Sequence, residues 1–244
     1  MSKRRIIGAT VVGLATVALA GGLIASNMGF KVNKTLIVGG QPVSGVGEVS
    51  PFTSLNGTNT VGLPFNRQVG MVNASQLKTD IGANCQQVSK FLRSNNAAFF
   101  YSAARAGTGS IDFPLEEGIG YRTRVTGANV SYIIVGSDDP SYAVSLIVAG
   151  QPAPGVGEVG NSLNGTNEIA YKYHATSATA SALKTEIGSQ CVSIAKLLAS
   201  NNANFSYTGA RAGTGSVDFP LIPGETYQVR VTGATNVSYV ASHY

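Results

Sequence analysis

The chain has 244 residues, of which only 12% are charged, and glycine supplies 30. A turn-rich composition so poor in charge is typical of exported β-proteins and argues against a disordered acidic or basic tail. The formal net charge of +5 includes Lys3, Arg4 and Arg5; removing those three from the 17 basic residues leaves 14 against 12 acidic ones, a net of +2, so no nucleic-acid partner is expected.

In chain order the first element is a leader. Met1-Ser-Lys-Arg-Arg5 is a positive start, Ile6 to Ala25 is apolar, and small residues follow at Ala18-Leu-Ala20 and near Ala25, as in a secretory signal peptide. The alternative is a retained anchor, since the run is just long enough to span a bilayer and its basic flank would stay inside. Both readings place the remainder outside the cytoplasmic membrane, at the cell surface or secreted, and membrane contact is expected only through an uncleaved leader.

The rest of the chain is a duplication. Leu36-Ile-Val-Gly-Gly-Gln-Pro42 and Gly45-Val-Gly-Glu-Val49 recur as Leu146-Ile-Val-Ala-Gly-Gln-Pro152 and Gly155-Val-Gly-Glu-Val159. Ser54 to Asn59 recurs at Ser162 to Asn167, Ala74 to Gly82 at Ala180 to Gly188, and Arg105 to Leu115 at Arg211 to Leu221. A spacing of 106 to 110 residues marks a duplicated domain rather than a short solenoid repeat. The expected division is a leader (1–25), an N-terminal strand-like extension (26–50), module one (51–135), a linker strand (136–160) and module two (161–244).

Hydrophobic alternation predicts strands at Thr60 to Phe65, Tyr121 to Val125, Glu168 to Tyr173, Asn204 to Tyr207 and Tyr227 to Val231. One short helix per module is predicted, at Ala74 to Ile81 and Ala180 to Ile187. Ser75 and Ser181 are candidate N-caps, and Gly82 and Gly188 suit a left-handed C-terminal position. The expected fold class is mostly β: two tandem duplicated small β-sandwich or barrel-like modules, each with one short α-helix.

The run Gly57-Thr-Asn-Thr-Val-Gly-Leu-Pro-Phe-Asn66, Ala74 to Gly82, Val88-Ser-Lys-Phe91, Asp112-Phe-Pro-Leu115, Gly118-Ile-Gly-Tyr121 and Tyr132-Ile-Ile-Val-Gly-Ser-Asp-Asp-Pro140 resembles a repeat module of secreted bacterial and archaeal surface proteins. The pattern of that family is roughly GxNxVSLPYN, LxxxIG, FxLxxGxGY and IVGSHDP. The likeness spans about residues 54–140 and, more loosely, 162–240, where Tyr171-Lys-Tyr replaces Leu-Pro-Phe and Gly224-Glu-Thr-Tyr227 replaces Gly-Ile-Gly-Tyr. The resemblance implies an exported, non-enzymatic module and specifies no ligand.

Residues able to carry chemistry are few. The only histidines, His174 and His243, lie in module two, and two cysteines complete no metal-ligand spacing, so neither a catalytic triad nor a metal or cofactor is expected. The duplicated carboxylates Asp112 with Asp218 and Glu48 with Glu158 suggest acid/base work, but each Asp follows a Gly-Thr-Gly turn whose amides it can bind. Asp138-Asp-Pro140 lacks the ligand spacing of a calcium loop and reads as a turn. Arg105 to Ser110 and Arg211 to Ser216 are Gly-rich enough to cradle an anion, with a tight hairpin as the plainer reading. Tyr101, Tyr121, Tyr132, Tyr207, Tyr227 and Tyr239 would stack sugars if exposed, making glycans a second partner class, although duplicated strand positions favour core packing. Seven Asn-X-Ser/Thr sequons, beginning at Asn33, Asn56, Asn73, Asn129, Asn164, Asn204 and Asn236, permit glycosylation.

Cys85 and Cys191 are equivalent, and one cysteine per module leaves an inter-module disulfide, an inter-subunit disulfide or a buried thiol. The segment carrying Phe30, Val32, Leu36 and Val38 alternates like a strand. Module two ends at Tyr244, where module one continues into its linker. Module two is therefore expected to lack a strand, which the N-terminal segment of the next subunit supplies, giving head-to-tail self-association into a filament. The functional expectation is a non-catalytic structural subunit of a surface or extracellular fibre or matrix, with a carbohydrate-binding or adhesive module as the alternative.

Overall fold

The computed structural model describes residues 28–67, 70–103, 110–209 and 216–243. The leader and the two Gly-Thr-Gly turns lie outside these residues. The fold is mostly β, with two short helices and several antiparallel sheets, as the alternation predicts.

Module one is built around a four-stranded antiparallel sheet. Its strands are β2 (Thr58–Gly62), β4 (Cys85–Phe91), β5 (Ala98–Tyr101) and β6 (Gly120–Val125), in the order β2-β6-β4-β5. A second sheet places β7 (Val130–Asp138) between β1 (Met28–Leu36) and β3 (Asn66–Arg67). Helix α1 (Ala74–Ile81) packs on β4. Leu36, Val61, Leu77, Val88, Phe113, Tyr121, Val125, Tyr132 and Ile134 are buried together in one core. Those on strands come from inward positions, which is the sandwich arrangement that period-two patterning requires, and Leu77 of the helix and Phe113 of a loop complete the core.

Module two repeats this order. Its sheet is β9-β12-β10-β11, formed by β9 (Thr166–Ala170), β10 (Cys191–Leu197), β11 (Asn204–Tyr207) and β12 (Thr226–Val231), with α2 (Ala180–Ile187) on β10. The smaller sheet pairs β8 (Val144–Leu146) with β13 (Val237–Tyr239). Leu146, Leu183, Ile194, Phe219, Tyr227, Val229 and Val231 centre its own core.

The helix caps differ from expectation. Asn73 and Thr179 are the N-caps; Gln76 Oε1 accepts Asn73 N–H at 2.8 Å, and Thr179 Oγ1 accepts Ala182 N–H at 3.3 Å. Ser75 and Ser181 lie two residues further in and are bonded to aspartates from another part of the chain. Gly82 and Gly188 close the helices at positive φ (109° and 101°), but with ψ near 180° rather than in the left-handed helical well.

The strand expected to be missing from module two is present. β8 pairs with β13 in the register that the end of β1 adopts on β7: Leu36 opposes Val130 as Leu146 opposes Val237. Asn59 accepts Ile37 N–H at 2.8 Å and returns an amide proton to its carbonyl, and Asn167 does the same for Ile147. Each module thus locks in the strand that precedes it. β1 is paired over nine residues within its own chain, with Leu36 and Val38 buried, Val32 packed against the core and the backbone of Phe30 opposite Gly136. Among the described residues the linker strand β8 covers β13 over Val237–Tyr239, in the place that the end of β1 takes on β7.

Candidate functional site

The polar residues that the duplication singles out converge on the seam between modules. Glu48 reaches from the Gly-Val-Gly-Glu-Val loop of module one into module two, accepting Ala199 N–H at 3.2 Å and Ser200 N–H at 2.9 Å. Glu158, in the same loop of module two, reaches back and accepts Arg93 N–H and Ser94 N–H, each at 2.9 Å, and the Arg93 Nε–H at 3.1 Å. The exchange continues along the main chain: Leu55 N–H donates to Ala199 O, and Leu163 N–H to Arg93 O, each at 2.8 Å. Gly62 N–H donates to Gly224 O at 2.7 Å, and Ala170 N–H to Gly118 O at 3.0 Å. Equivalent residues contact each other in both directions, which is the pattern of a twofold interface formed within one chain.

The glycines of the clamp loops are required by this approach. A Cβ on Gly47 would lie 2.6 Å from the Phe205 ring, and one on Gly157 would lie 2.9 Å from Phe99, with φ of 88° and 84°. Arg122 adds a fork to Glu168 across the seam, at 3.0 and 2.9 Å. Tyr173 of module two enters the first core, and Asp138 ties the modules by accepting Phe65 N–H at 3.3 Å and Tyr173 N–H at 3.0 Å.

Burial alone would raise the Glu158 carboxyl, but the amides and guanidinium around it hold it below the ordinary glutamate range. Because the folded-state value is depressed, the stabilisation is complete above the unfolded-chain pKa and is lost as pH falls through the lowered one. Thermal midpoints are therefore expected to fall with acid below about pH 4.3, and the fall is expected to be shallower in Glu158→Gln.

The other candidates resolve into structural roles. Asp112 accepts Ser75 N–H at 2.9 Å and Oγ–H at 2.5 Å, and Asp218 accepts the same groups of Ser181, the amide at 2.9 Å and the hydroxyl at 2.5 Å. The duplicated aspartates thus hold the first turn of each helix, while the Gly-Thr-Gly turns before them lie outside the described residues. Asp139 caps its own turn through Ser141. His174 and His243, far apart in sequence, line one small cavity with Asp138 and Lys172, and both oxygens of that aspartate already accept amide protons. No group of three or more His, Cys, Asp or Glu able to hold a metal occurs among the described residues. Tyr121, Tyr132, Tyr227 and Tyr239 are buried, and Tyr101 and Tyr207 pack against the cores, so these six tyrosines do not form a sugar-stacking platform. The sequon residues Asn56, Asn129, Asn164 and Asn236 use their carbonyls as acceptors for backbone amides.

Of the three alternatives left open for Cys85 and Cys191, the structure shows the buried thiol. Both are free and buried, one in each core, and burial pushes each thiol up to about 11. The reactive thiolate is therefore scarce as well as inaccessible. A chromogenic disulfide reagent is expected to find no reactive thiol in the native chain and both after denaturation; a native reaction would contradict the buried placement.

Among the described residues no helix is long and apolar enough to cross a membrane. Comparison with protein-family models, curated proteins and solved structures returns no match.

Proposed function

We propose that the chain is an exported, non-catalytic structural subunit of a cell-surface or extracellular fibre or matrix. The observation that carries this reading is the reciprocal clamp: Glu48 and Glu158, one of the two duplicated acid pairs, join two modules into one body. Asp112 and Asp218 are spent on helix ends. The basic, then apolar leader supports export.

Self-association belongs to the same reading, and β1 is the element suited to it. It is held on β7 along its whole length by main-chain pairing, which the same strand of a second copy would reproduce. Assembly by this route exchanges a seated strand and does not fill a vacant edge. Head-to-tail exchange propagates into a filament unless its rotation closes a ring.

The test is negative-stain electron microscopy of the protein shed from its native cell surface, with mass spectrometry of its N-terminus. Regular filaments of a chain beginning between residues 21 and 28 are expected. Discrete monomers would remove the filament reading, and a chain retaining Met1 would replace the shed subunit with a tethered one.

A further inference from the structure

The pseudo-twofold is broken at one edge of the seam. At the first edge Lys90 Nζ lies 2.6 Å from the Glu116 carboxylate, and both groups sit beside Gly155. Arg93 spreads its guanidinium onto Glu158 and the Pro154 carbonyl. The space left between these groups is only ≈ 10 Å³.

At the second edge the duplication substitutes Lys196 for Lys90, Ile222 for Glu116, Ala199 for Arg93, Ser44 for Pro154 and Glu48 for Glu158. One carboxylate and one guanidinium are lost together. A cleft of ≈ 270 Å³ opens in their place, lined among others by Lys34, Ser44, Glu48, Lys196, Ile222 and Glu225. Lys196 Nζ stands beside Gly45, as Lys90 does beside Gly155, over the rings of Phe205 and Phe219 at 6.0 and 5.8 Å. Its twin has a carboxylate at contact distance; Lys196 has none among the described residues. Burial lowers its pKa, with Glu48 and Glu225 opposing that effect from further away. Glu48 keeps its two amide donors but lacks the guanidinium that Glu158 holds.

We propose that this cleft binds an arginine-type zwitterion, its guanidinium on Glu48 and the Ser44 carbonyl and its carboxylate on Lys196. The filled edge supplies the template, since the ligand restores the two groups that Arg93 and Glu116 provide there. Charge balance favours a zwitterion over a simple anion: Lys34 and Lys196 already balance Glu48 and Glu225, and Lys34 is paired with Glu225. Free arginine and a peptide ending in arginine present the same chemistry. The inference stands apart from the structural-subunit reading, since the cleft exists in a single chain whether or not filaments form.

Isothermal titration of the full chain tests it, using L-arginine, a short peptide with C-terminal arginine, agmatine and citrulline as probes. Saturable binding of arginine or of the peptide at one site per chain is expected, and binding of the peptide alone would identify a chain terminus as the source. Agmatine lacks the carboxylate and citrulline the charged guanidinium, so each is expected to bind at least about tenfold more weakly. Ala199→Arg should fill the cleft as Arg93 fills its twin and abolish binding, while keeping a cooperative unfolding transition. Lys196→Met, which preserves the packing over Phe205 and Phe219, should reduce arginine to the level of agmatine. Absence of saturable binding by either arginine probe, equal binding of citrulline, or undiminished binding by Ala199→Arg would overturn the proposal.

Discussion

Glu158→Ala is expected to destabilise the chain by about 3–5 kcal/mol, the cost of breaking a buried ion pair by removing one partner. The Glu158 side chain is only 2% exposed and Arg93 10%, so truncation leaves a guanidinium without its counter-charge in a space water scarcely enters. The amides of Arg93 and Ser94 lose their acceptor in the same step. Glu48→Ala strands two amides and no guanidinium, and is expected to cost about 1–3 kcal/mol. Urea unfolding of both variants, with the midpoint falling and the slope unchanged, is the measurement. Equal losses would mean that the Arg93 pair contributes nothing beyond the shared amide bonds.

The asymmetry between those two glutamates was not legible in the sequence, although much else was. The helix spans Ala74–Ile81 and Ala180–Ile187 could be read because a periodic apolar stripe ends at a glycine in both copies. β11 and most of β6 and β12 followed from simple alternation. β4 and β10 were harder. Cys85-Gln-Gln-Val-Ser-Lys-Phe91 carries a bulge between Cys85 and Gln87, and its centre, Val88-Ser-Lys90, is buried without alternation. Lys90 is buried because module two supplies the second wall of its surroundings, and no local pattern encodes a neighbour as distant in sequence as Gly155. The sequon residues Asn129 and Asn236 and the aspartates of the two Asp-Phe-Pro-Leu motifs were illegible for the same reason: their partners lie in other segments. The glutamate of Gly-Val-Gly-Glu-Val was visible as a duplicated acid inside a glycine-rich loop. What it binds depends on the twofold arrangement, which local motifs do not specify.

The seam also determines how the two cores should fail. Phe113 and Phe219 are equivalent, almost fully buried, and stacked on Tyr121 and Tyr227 with centroids 6.2 and 6.1 Å apart. Phe219→Ala is expected to cost about 3–5 kcal/mol from lost burial and the cavity left behind. Independent modules would then melt separately, the second well before the first. That outcome is not expected, because the first core contains Tyr173, which belongs to the second module, and each clamp loop takes its amide partners from the other module. Unfolding module two therefore exposes part of core one and both clamps at once, so the variant should melt earlier but still in one transition. Adding Glu48→Ala and Glu158→Ala to Phe219→Ala removes much of that coupling and should separate the curve into two steps. Calorimetry of the three proteins decides the matter: two transitions in the single Phe219→Ala variant would mean the clamps hold the modules side by side without making them fold as a unit.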